Sequence, residues 1–425
     1  MWIRIKPLDV LLFRTSKPFG AGESFRAESI FPPTSIPFIG ALRTCAMNHL
    51  LANSPNLDYD YNHYSQCIMN NQPCELIDEL GSTDHLGPLS FEGPYLAYEK
   101  KDDCQSYKND TILLPLPKDL MQPPKESKSQ NMSCLNPGML EWKVITSPPD
   151  LEMTLVKDSD DSEACDVGYL KGDNLTDYLI GDLPTNIVFK ETISDIESRV
   201  GIGLSSNRTA KHGLIYTVAF QRLTENTVFW MKLMCMNDES RLLPKKGFLS
   251  LGGESRSAYF EIVKPENIPQ SLTINTSSEK KEQVLENLIN QRSFKLYLLS
   301  PAIFEQGWLP DGLDSKTYQW HPVKGCDAKL VSAAIGKNIC ISGWDLVKKM
   351  PKPLLRAVPA GSIYYFKTKT PISKETANYL FDKLHYQSII QQSSHPPNSF
   401  SDYYQSAGFG MCALGGWKEK ENDYV

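Results

Sequence analysis

Apolar residues recur along this chain with two periods, and the period changes where glycine and proline intervene. Trp2 to Phe13 alternates in part and is rich in Ile, Leu and Val, which predicts a first strand. Arg14 to Pro37 is broken at Lys17-Pro18, at Gly20 and Gly22 and at Pro32-Pro33, and reads as a loop. From Ile36 to Leu51 the apolar positions Phe38, Ile39, Leu42, Ala46 and Leu50 fall at helical spacing, with Ser35 placed to cap. Asn53 to Asp195 shows neither period. Its Pro-, Ser- and acid-rich stretches predict irregular loops or insertions, with one short helix at Asn174 to Leu183.

Regular patterning returns afterwards. Leu214 to Phe220 and Thr227 to Met236 predict strands, and the glycine turn at Leu251 to Ser257 runs into a strand from Ala258 to Val263. Glu279 to Arg292 predicts a helix with Val284, Leu285, Leu288 and Ile289 inward. Phe294 to Leu299, Ile339 to Ser342 and Ile363 to Phe366 predict strands, and Lys374 to about Ser388 a helix. Ala407 to Trp417 is again a glycine turn opening onto a strand. The order strand, helix, strands, glycine turn, strand therefore occurs twice. It predicts an α+β protein of two domains joined near residues 264 to 292, each an antiparallel sheet with helices on one face.

Charge changes this picture more than composition does. The 425 residues carry a net charge of −6, which by itself argues against a polyanion partner. Its distribution argues the other way. Residues 50–197 hold 10 Lys and Arg against 27 Asp and Glu, while residues 1–49 net +3 and residues 198–425 net +8. One acidic block and two basic flanks suggest one surface that meets a polyanion and another that avoids it. No apolar run approaches the length of a membrane span, and the N-terminus lacks the pattern of an export signal, so a cytoplasmic protein is expected. The ten Cys form no CxxC pair. The closest pair, Cys67 and Cys74, has no matching second pair, so reduced thiols packed as small apolar groups are expected, with no metal and no cofactor.

The stretch from Glu197 to Leu223 concentrates the candidate chemistry. It carries Arg199, Arg208, Lys211 and Arg222, with no acid between Arg199 and Thr224, and Gly201 and Gly203 lie within it. A basic, glycine-bearing loop opening onto a strand suits phosphate, although a hairpin with a solvated basic face has the same pattern. Gly252-Gly253-Glu254-Ser255-Arg256 and Gly408-Phe409-Gly410 each precede a strand. Their amides could form anion-binding nests or tight turns. Leu346 to Lys374 holds seven Lys and Arg and no acid. Tyr364, Tyr365 and Phe366 within it either stack on bases or alternate between core and surface. His212 in the basic loop is placed to act as an acid or base, or simply to hydrogen-bond. Dinucleotide, P-loop, HExxH and GxSxG signatures are all missing.

Taken in order, several segments resemble a known family. They are LLFRTSKPFGAGE and FPPTSIPFIGALR near the start, ESRVGIGLSSNRTAKHGLIYTVAFQR at 197–222 and LGGESR at 251–256. LLSPAIFEQGWLP at 298–310, SGWDL at 342–346, KPLLRAVPAGSIYYF at 352–366 and the final GFG and LGGW follow. The chain resembles, over nearly its whole length, the third subunits of the Cmr complex, the type III-B CRISPR effector, within the RAMP superfamily. The resemblance implies two ferredoxin-like (RRM-related) domains with Gly-rich loops, spanning 1–265, with a large irregular insertion at about 53–195, and 266–425. It implies a non-catalytic subunit in antiviral defence that binds the 5′ tag of the guide RNA and docks the large polymerase-type subunit. A neighbouring RAMP backbone subunit is a further implied partner, and target RNA an indirect one. The implied RNA-binding residues are Arg14, Lys17, Arg43, Arg199, Arg208, Lys211, Gly252, Gly253, Arg256, Gly408 and Gly410. Some RAMP relatives cleave precursor RNA, so a guide-processing endoribonuclease is the alternative.

Overall fold

The computed structural model describes residues 1–15, 26–53, 60–100, 107–123, 132–139, 151–157, 162–165, 168–184, 187–272, 278–390, 400–417 and 419; the side chains of 211–214, 278–280 and 400 are not described. Ten strands of the N-terminal part build its main sheet and a hairpin. They are β1 (Trp2–Pro7), β2 (Leu89–Tyr98), β3 (Thr111–Pro115), β4 (Gly168–Lys171) and β5 (Ile187–Phe189), then β6 (Ser194–Leu204), β7 (Ala210–Leu223), β8 (Thr227–Cys235), β9 (Lys246–Leu251) and β10 (Arg256–Val263). Eight of them form one sheet, in the order β5-β4-β3-β2-β8-β1-β10-β9, and every pairing is antiparallel. β1 sits inside this sheet because Trp2, Ile3, Arg4 and Ile5 are all buried. The buried Arg4 is held by charge: its Nε donates to Asp110 at 3.1 Å and its guanidinium lies 4.3 Å over the Tyr107 ring.

β2 to β5, four of the eight strands, lie between Asn53 and Asp195. The expectation that this stretch is irregular is corrected at these elements. Its period was hidden by polar groups at buried positions. Glu92 in β2 is 4% exposed and accepts from Tyr95 Oη at 2.8 Å, and Gly93-Pro94 interrupts the same strand.

Six of the strands in the C-terminal part pair with one another. They are β11 (Ser293–Leu298), β12 (Gln319–Trp320), β13 (Ala328–Ala334), β14 (Ile363–Thr368), β15 (Gln387–Ser388) and β16 (Met411–Gly415). They form a second antiparallel sheet, β12-β13-β14-β11-β16-β15. In each sheet four adjacent strands, numbered by their order along the chain, read 2-3-1-4: β2-β8-β1-β10 and β13-β14-β11-β16.

Helix α1 (Ser35–Asn53) lays Phe38, Ile39, Leu42, Ala46 and Leu50 into the core at the predicted spacing. Two short helices follow it, α2 (Tyr61–Asn70) and α3 (Glu75–Leu80), and later come α4 (Leu175–Ile180) and α5 (Ser278–Gln291). Helix α6 (Lys374–Leu384) starts where Ser373 Oγ accepts the Thr376 N–H at 3.1 Å and buries Ala377, Leu380, Phe381 and Leu384. It stops four residues before its predicted end, because Tyr386 takes a positive φ and residues 387–388 join the sheet as β15. Helix α7 (Phe400–Ser406) precedes the last glycine turn. A single continuous apolar core runs through both sheets and their helices. No helix among the described residues is long and apolar enough to cross a membrane.

Candidate nucleic-acid interface

The basic stretch forms an antiparallel hairpin. β6 and β7 pair from Ser194↔Leu223 to Leu204↔Ala210, with a register shift between Ile202 and Leu204. Period 2 sorts its side chains. Val218 and Phe220 face a small second core with Val10, Leu12 and Ala27, while Ile196, Val200, Ile202 and Ile215 stand exposed on the opposite face. The hairpin is anchored at its base by the segment after β1: Leu11 and Gln221 exchange two backbone hydrogen bonds of 2.8 Å. Arg26–Ala27 pairs in parallel with β7 on the same side.

At that base three arginines meet. Arg199, Arg222 and Arg256 lie 3.8, 3.5 and 3.2 Å from the Asp9 carboxylate. The guanidiniums of Arg199 and Arg256 lie over the Phe220 ring at 5.2 and 4.7 Å. Glu197 pairs with Arg199 at 2.7 Å and also with Arg222; Glu254 pairs with Arg256 at 2.8 Å. The acid-free run in the sequence is thus not acid-free in space: three carboxylates face three guanidiniums. The hydrogen bond from the Val10 N–H, then Arg199, Arg256 and Arg222, hold Asp9 below the usual carboxylate range. The Arg222 and Arg199 hydrogen bonds do the same for Glu197. The cluster is a set of partly exposed ion pairs at the base of the hairpin.

The sequence-predicted residues divide accordingly. Arg199 and Arg256 are brought together, and Arg222, not among the implied binding residues, joins them. The sequence put it in the same basic stretch, and the hairpin register sets it on the face of Arg199. Arg208 sits at the hairpin tip with φ +60, in the turn closed by Ser205 N–H to Thr209 O at 2.9 Å. That is about six residues, or ~20 Å, along the strand from Arg199. Arg14 is exposed beside Ser29, on the segment that flanks β7. Arg43 is elsewhere, on α1, and donates to Tyr64 Oη at 3.0 Å and to the Ser82 carbonyl at 2.8 Å. Lys17 lies outside the described residues, and the side chains of Lys211 and His212 lie outside the described side chains.

The glycines serve close backbone approach. At Gly252, with φ +76, a Cβ would lie 2.6 Å from the Leu12 carbonyl, and at Gly408, with φ +79, 2.6 Å from that of Phe91. The N–H groups of Gly253, Gly408 and Gly410 donate to the carbonyls of Leu12, Gln405 and Pro301 at 2.7, 3.0 and 2.8 Å. These three amides are engaged within the fold. The second basic run is also engaged. Lys348, Lys367, Lys369 and Lys374 pair with Asp84, Glu419, Asp327 and Glu282, and Lys352 donates to the Thr83 carbonyl. Tyr364, Tyr365 and Phe366 neither stack outward nor alternate: all three are at most 1% exposed.

Two all-antiparallel sheets with helices, and a hairpin whose base gathers arginines over an aromatic ring, define a mixed α/β protein with a basic hairpin. The chain belongs to the Cas_Cmr3 family of CRISPR-associated proteins, whose sequence profile matches residues 3–417. It is thereby a member of the type III-B Cmr effector's third-subunit family. No curated relative matches it in sequence. Among solved structures it is similar to a chain of the type III-B Cmr-β complex bound to cognate target RNA and AMPPnP. The identity is 18%, 99% of each chain is covered, and the TM-score is 0.47. A chain of Cmr-β bound to cognate target RNA gives 16%, 97% of this chain and 96% of that one, and 0.46. A chain of the Csm3–Csm4 subcomplex of the type III-A interference complex gives 13%, 88% and 94%, and 0.34.

Proposed function

We propose that this chain is a non-catalytic subunit that holds the 5′ repeat-derived tag of the guide RNA and docks the large polymerase-type subunit, beside a neighbouring RAMP backbone subunit. Target RNA is met indirectly, through the guide. The reading treats the protein as two ferredoxin-like units, 1–265 and 266–425. The shared 2-3-1-4 strand order supports it, as do α1 between the first two strands of one unit and α6 between the last two of the other.

The observation that carries the RNA role is the hairpin itself. Its base gathers three guanidiniums, two of them over Phe220, and its tip presents Arg208 ~20 Å away. That span suits several nucleotides of single-stranded RNA held mainly by phosphate contacts. Guanidinium forks bind phosphate in two-point contacts, which lets RNA displace the carboxylates of Asp9 and Glu197. The opposite apolar face, with Val200 and Ile202, suits a protein neighbour.

The test is binding of guide RNA with and without its tag across a salt series, alone and with the large subunit. Tag-dependent, salt-sensitive binding is expected. Arg208→Glu with Lys211→Glu removes two phosphate contacts and flattens the slope of log K against log salt by about 1.4, at roughly 0.7 per single-stranded contact. An unaltered slope sinks the hairpin assignment, and cleavage of repeat RNA that disappears in His212→Ala replaces it with the endoribonuclease reading.

A further inference from the structure

The geometry points to a metal site in the N-terminal half: His63, Cys67 and Cys74 bind one zinc ion, which joins α2 to α3. The three side chains place one ligand atom each within 4.8 Å of the others. His63 and Cys67 are one turn apart on α2, so they share a face, and His63 Nε2 lies 3.4 Å from Cys67 Sγ. Tetrahedral zinc with its usual bond lengths sets sulfur and nitrogen ligands about 3.6 Å apart and two sulfurs about 3.8 Å apart. The observed separation fits that geometry before any ion is added.

The local backbone is built to return the third ligand. Asp60 caps α2 by accepting the His63 N–H at 2.9 Å, which fixes the first ligand's turn. Asn71 ends the helix with φ +52, and the Gln72 N–H donates to the Cys67 carbonyl at 2.9 Å, turning the chain back. Cys74 then occupies the N-cap of α3. That position favours Ser, Thr, Asp or Asn, and here the side chain makes no cap hydrogen bond. Its sulfur points to Cys67 instead. Both thiols are buried, at 3% and 6% exposed, and neither forms a disulfide.

A staple is what this corner lacks. α2 buries only Tyr64 and Cys67, and α3 only Leu76 and Leu80, too little apolar surface to order two short helices firmly. Cys, Cys and His are the ligand types zinc selects, and water takes the fourth position. A disulfide between Cys67 and Cys74 is the simplest rival, but it leaves the imidazole beside the sulfur without a reason. The spacing H-x3-C-x6-C hides the site from a search for paired CxxC motifs, because a histidine stands where the first cysteine of the first pair would be. The consequence reaches beyond the corner. Tyr64 Oη donates to the Gly81 carbonyl at 2.9 Å and accepts from Arg43, which also holds Ser82. The next residues, Thr83 and Asp84, take Lys352 and Lys348 from the C-terminal half. Zinc would therefore also steady one of the clasps between the two halves.

The experiment uses the full chain, produced without a histidine tag in zinc-supplemented medium and assayed by elemental mass spectrometry. One equivalent of zinc is expected. Cobalt exchange should give the thiolate charge-transfer and tetrahedral ligand-field bands. Cys67→Ser with Cys74→Ser should abolish both signals, while Cys45→Ser, outside the cluster, leaves them intact. His63→Ala should weaken cobalt binding by more than about tenfold, a loss already typical of changes one shell further out. Against failure to fold, stripping the wild-type chain with a chelator should lower its melting temperature, and zinc should restore it. A wild-type chain that retains no zinc and shows no cobalt bands overturns the proposal. So does recovery of Cys67 and Cys74 as a disulfide, or the same cobalt spectrum in the double variant.

Discussion

Asp9 shows what single residues can and cannot reveal. Its carboxylate faces Arg199, Arg222 and Arg256, the last of them nearly 250 positions away. Arg199 and Arg222 were visible in the sequence in a run without acid, and Arg256 at the end of a glycine turn. Asp9 and Glu254 were not, because neither belongs to that run and only folding brings them to it. The local charge is therefore balanced, and on the proposed reading RNA would compete with carboxylates already in place. Asp9→Asn removes one competitor without touching an arginine. It should tighten tag binding at low salt and steepen the salt slope by up to about 0.7, with little change in stability, since exposed pairs contribute about 1 kcal/mol or less. A titration of guide RNA against both proteins at several salt concentrations decides it, and identical curves would place the RNA away from this cluster. Gly252 and Gly408 teach the converse lesson. They stood out as candidate anion nests, yet each is glycine because a carbonyl lies 2.6 Å from where its Cβ would be.

Elements were legible where one face is polar. α1, α6 and β10 appear close to where their periods put them, because part of each meets water and the pattern shows. β2 is a harder case. β1 and β11 were predicted despite the buried Arg4 and Lys295, but in β2 the buried Glu92 looks like a surface position. A buried ion pair or hydrogen bond erases the alternation that predicts a strand. The junction of α6 and β16 has a similar buried group with a measurable signature. His385 ends α6, stacks on Phe381 at 4.2 Å, and accepts the Leu414 N–H of β16 on Nδ1 at 3.2 Å. Burial lowers its imidazole from an ordinary value of 6.5 to about 3. The unfolded chain thus takes up this proton first as the pH falls, so the stabilisation is whole above pH 6.5 and lost on the way down to 3. The stability margin of the wild type over His385→Gln should shrink by about 1.4 kcal/mol per pH unit in that window. Denaturant unfolding at pH 7.5, 6 and 5 measures it, and a margin that stays constant refutes a neutral buried imidazole.

For the whole molecule, the doubled order of strands was readable before the structure, but how the halves hold each other was not. Pattern predicts two sheets; it is silent on contacts between residues hundreds of positions apart. The main polar clasp is centred on Asp119, fully buried, on the loop after β3. Its Oδ2 accepts from Tyr178 and Tyr365, each at 2.7 Å, and lies 3.8 Å from Lys295 Nζ. Tyr365 and Lys295 belong to the C-terminal sheet, and the Lys295 ammonium also lies 3.6 Å over the Tyr178 ring. The Lys118 N–H to Gly361 O bond, 2.9 Å, runs alongside. Charge in such a place is worth little against a well-packed apolar substitute, but a broken pair is costly, because the surviving ion stays out of water. Asp119→Ala leaves Lys295, 3% exposed, without its carboxylate and should cost about 3–5 kcal/mol. Asp119→Ala with Lys295→Met removes the stranded charge as well and should recover most of that loss, giving a large coupling term in the double-mutant cycle. Chemical denaturation of the four proteins supplies the cycle. If the single Asp119 variant loses less than about 1 kcal/mol, an ordinary surface change in size, the halves are held by their shared apolar core alone. If the double variant is no better than the single one, the two tyrosine hydroxyls rather than the lysine are what Asp119 satisfies.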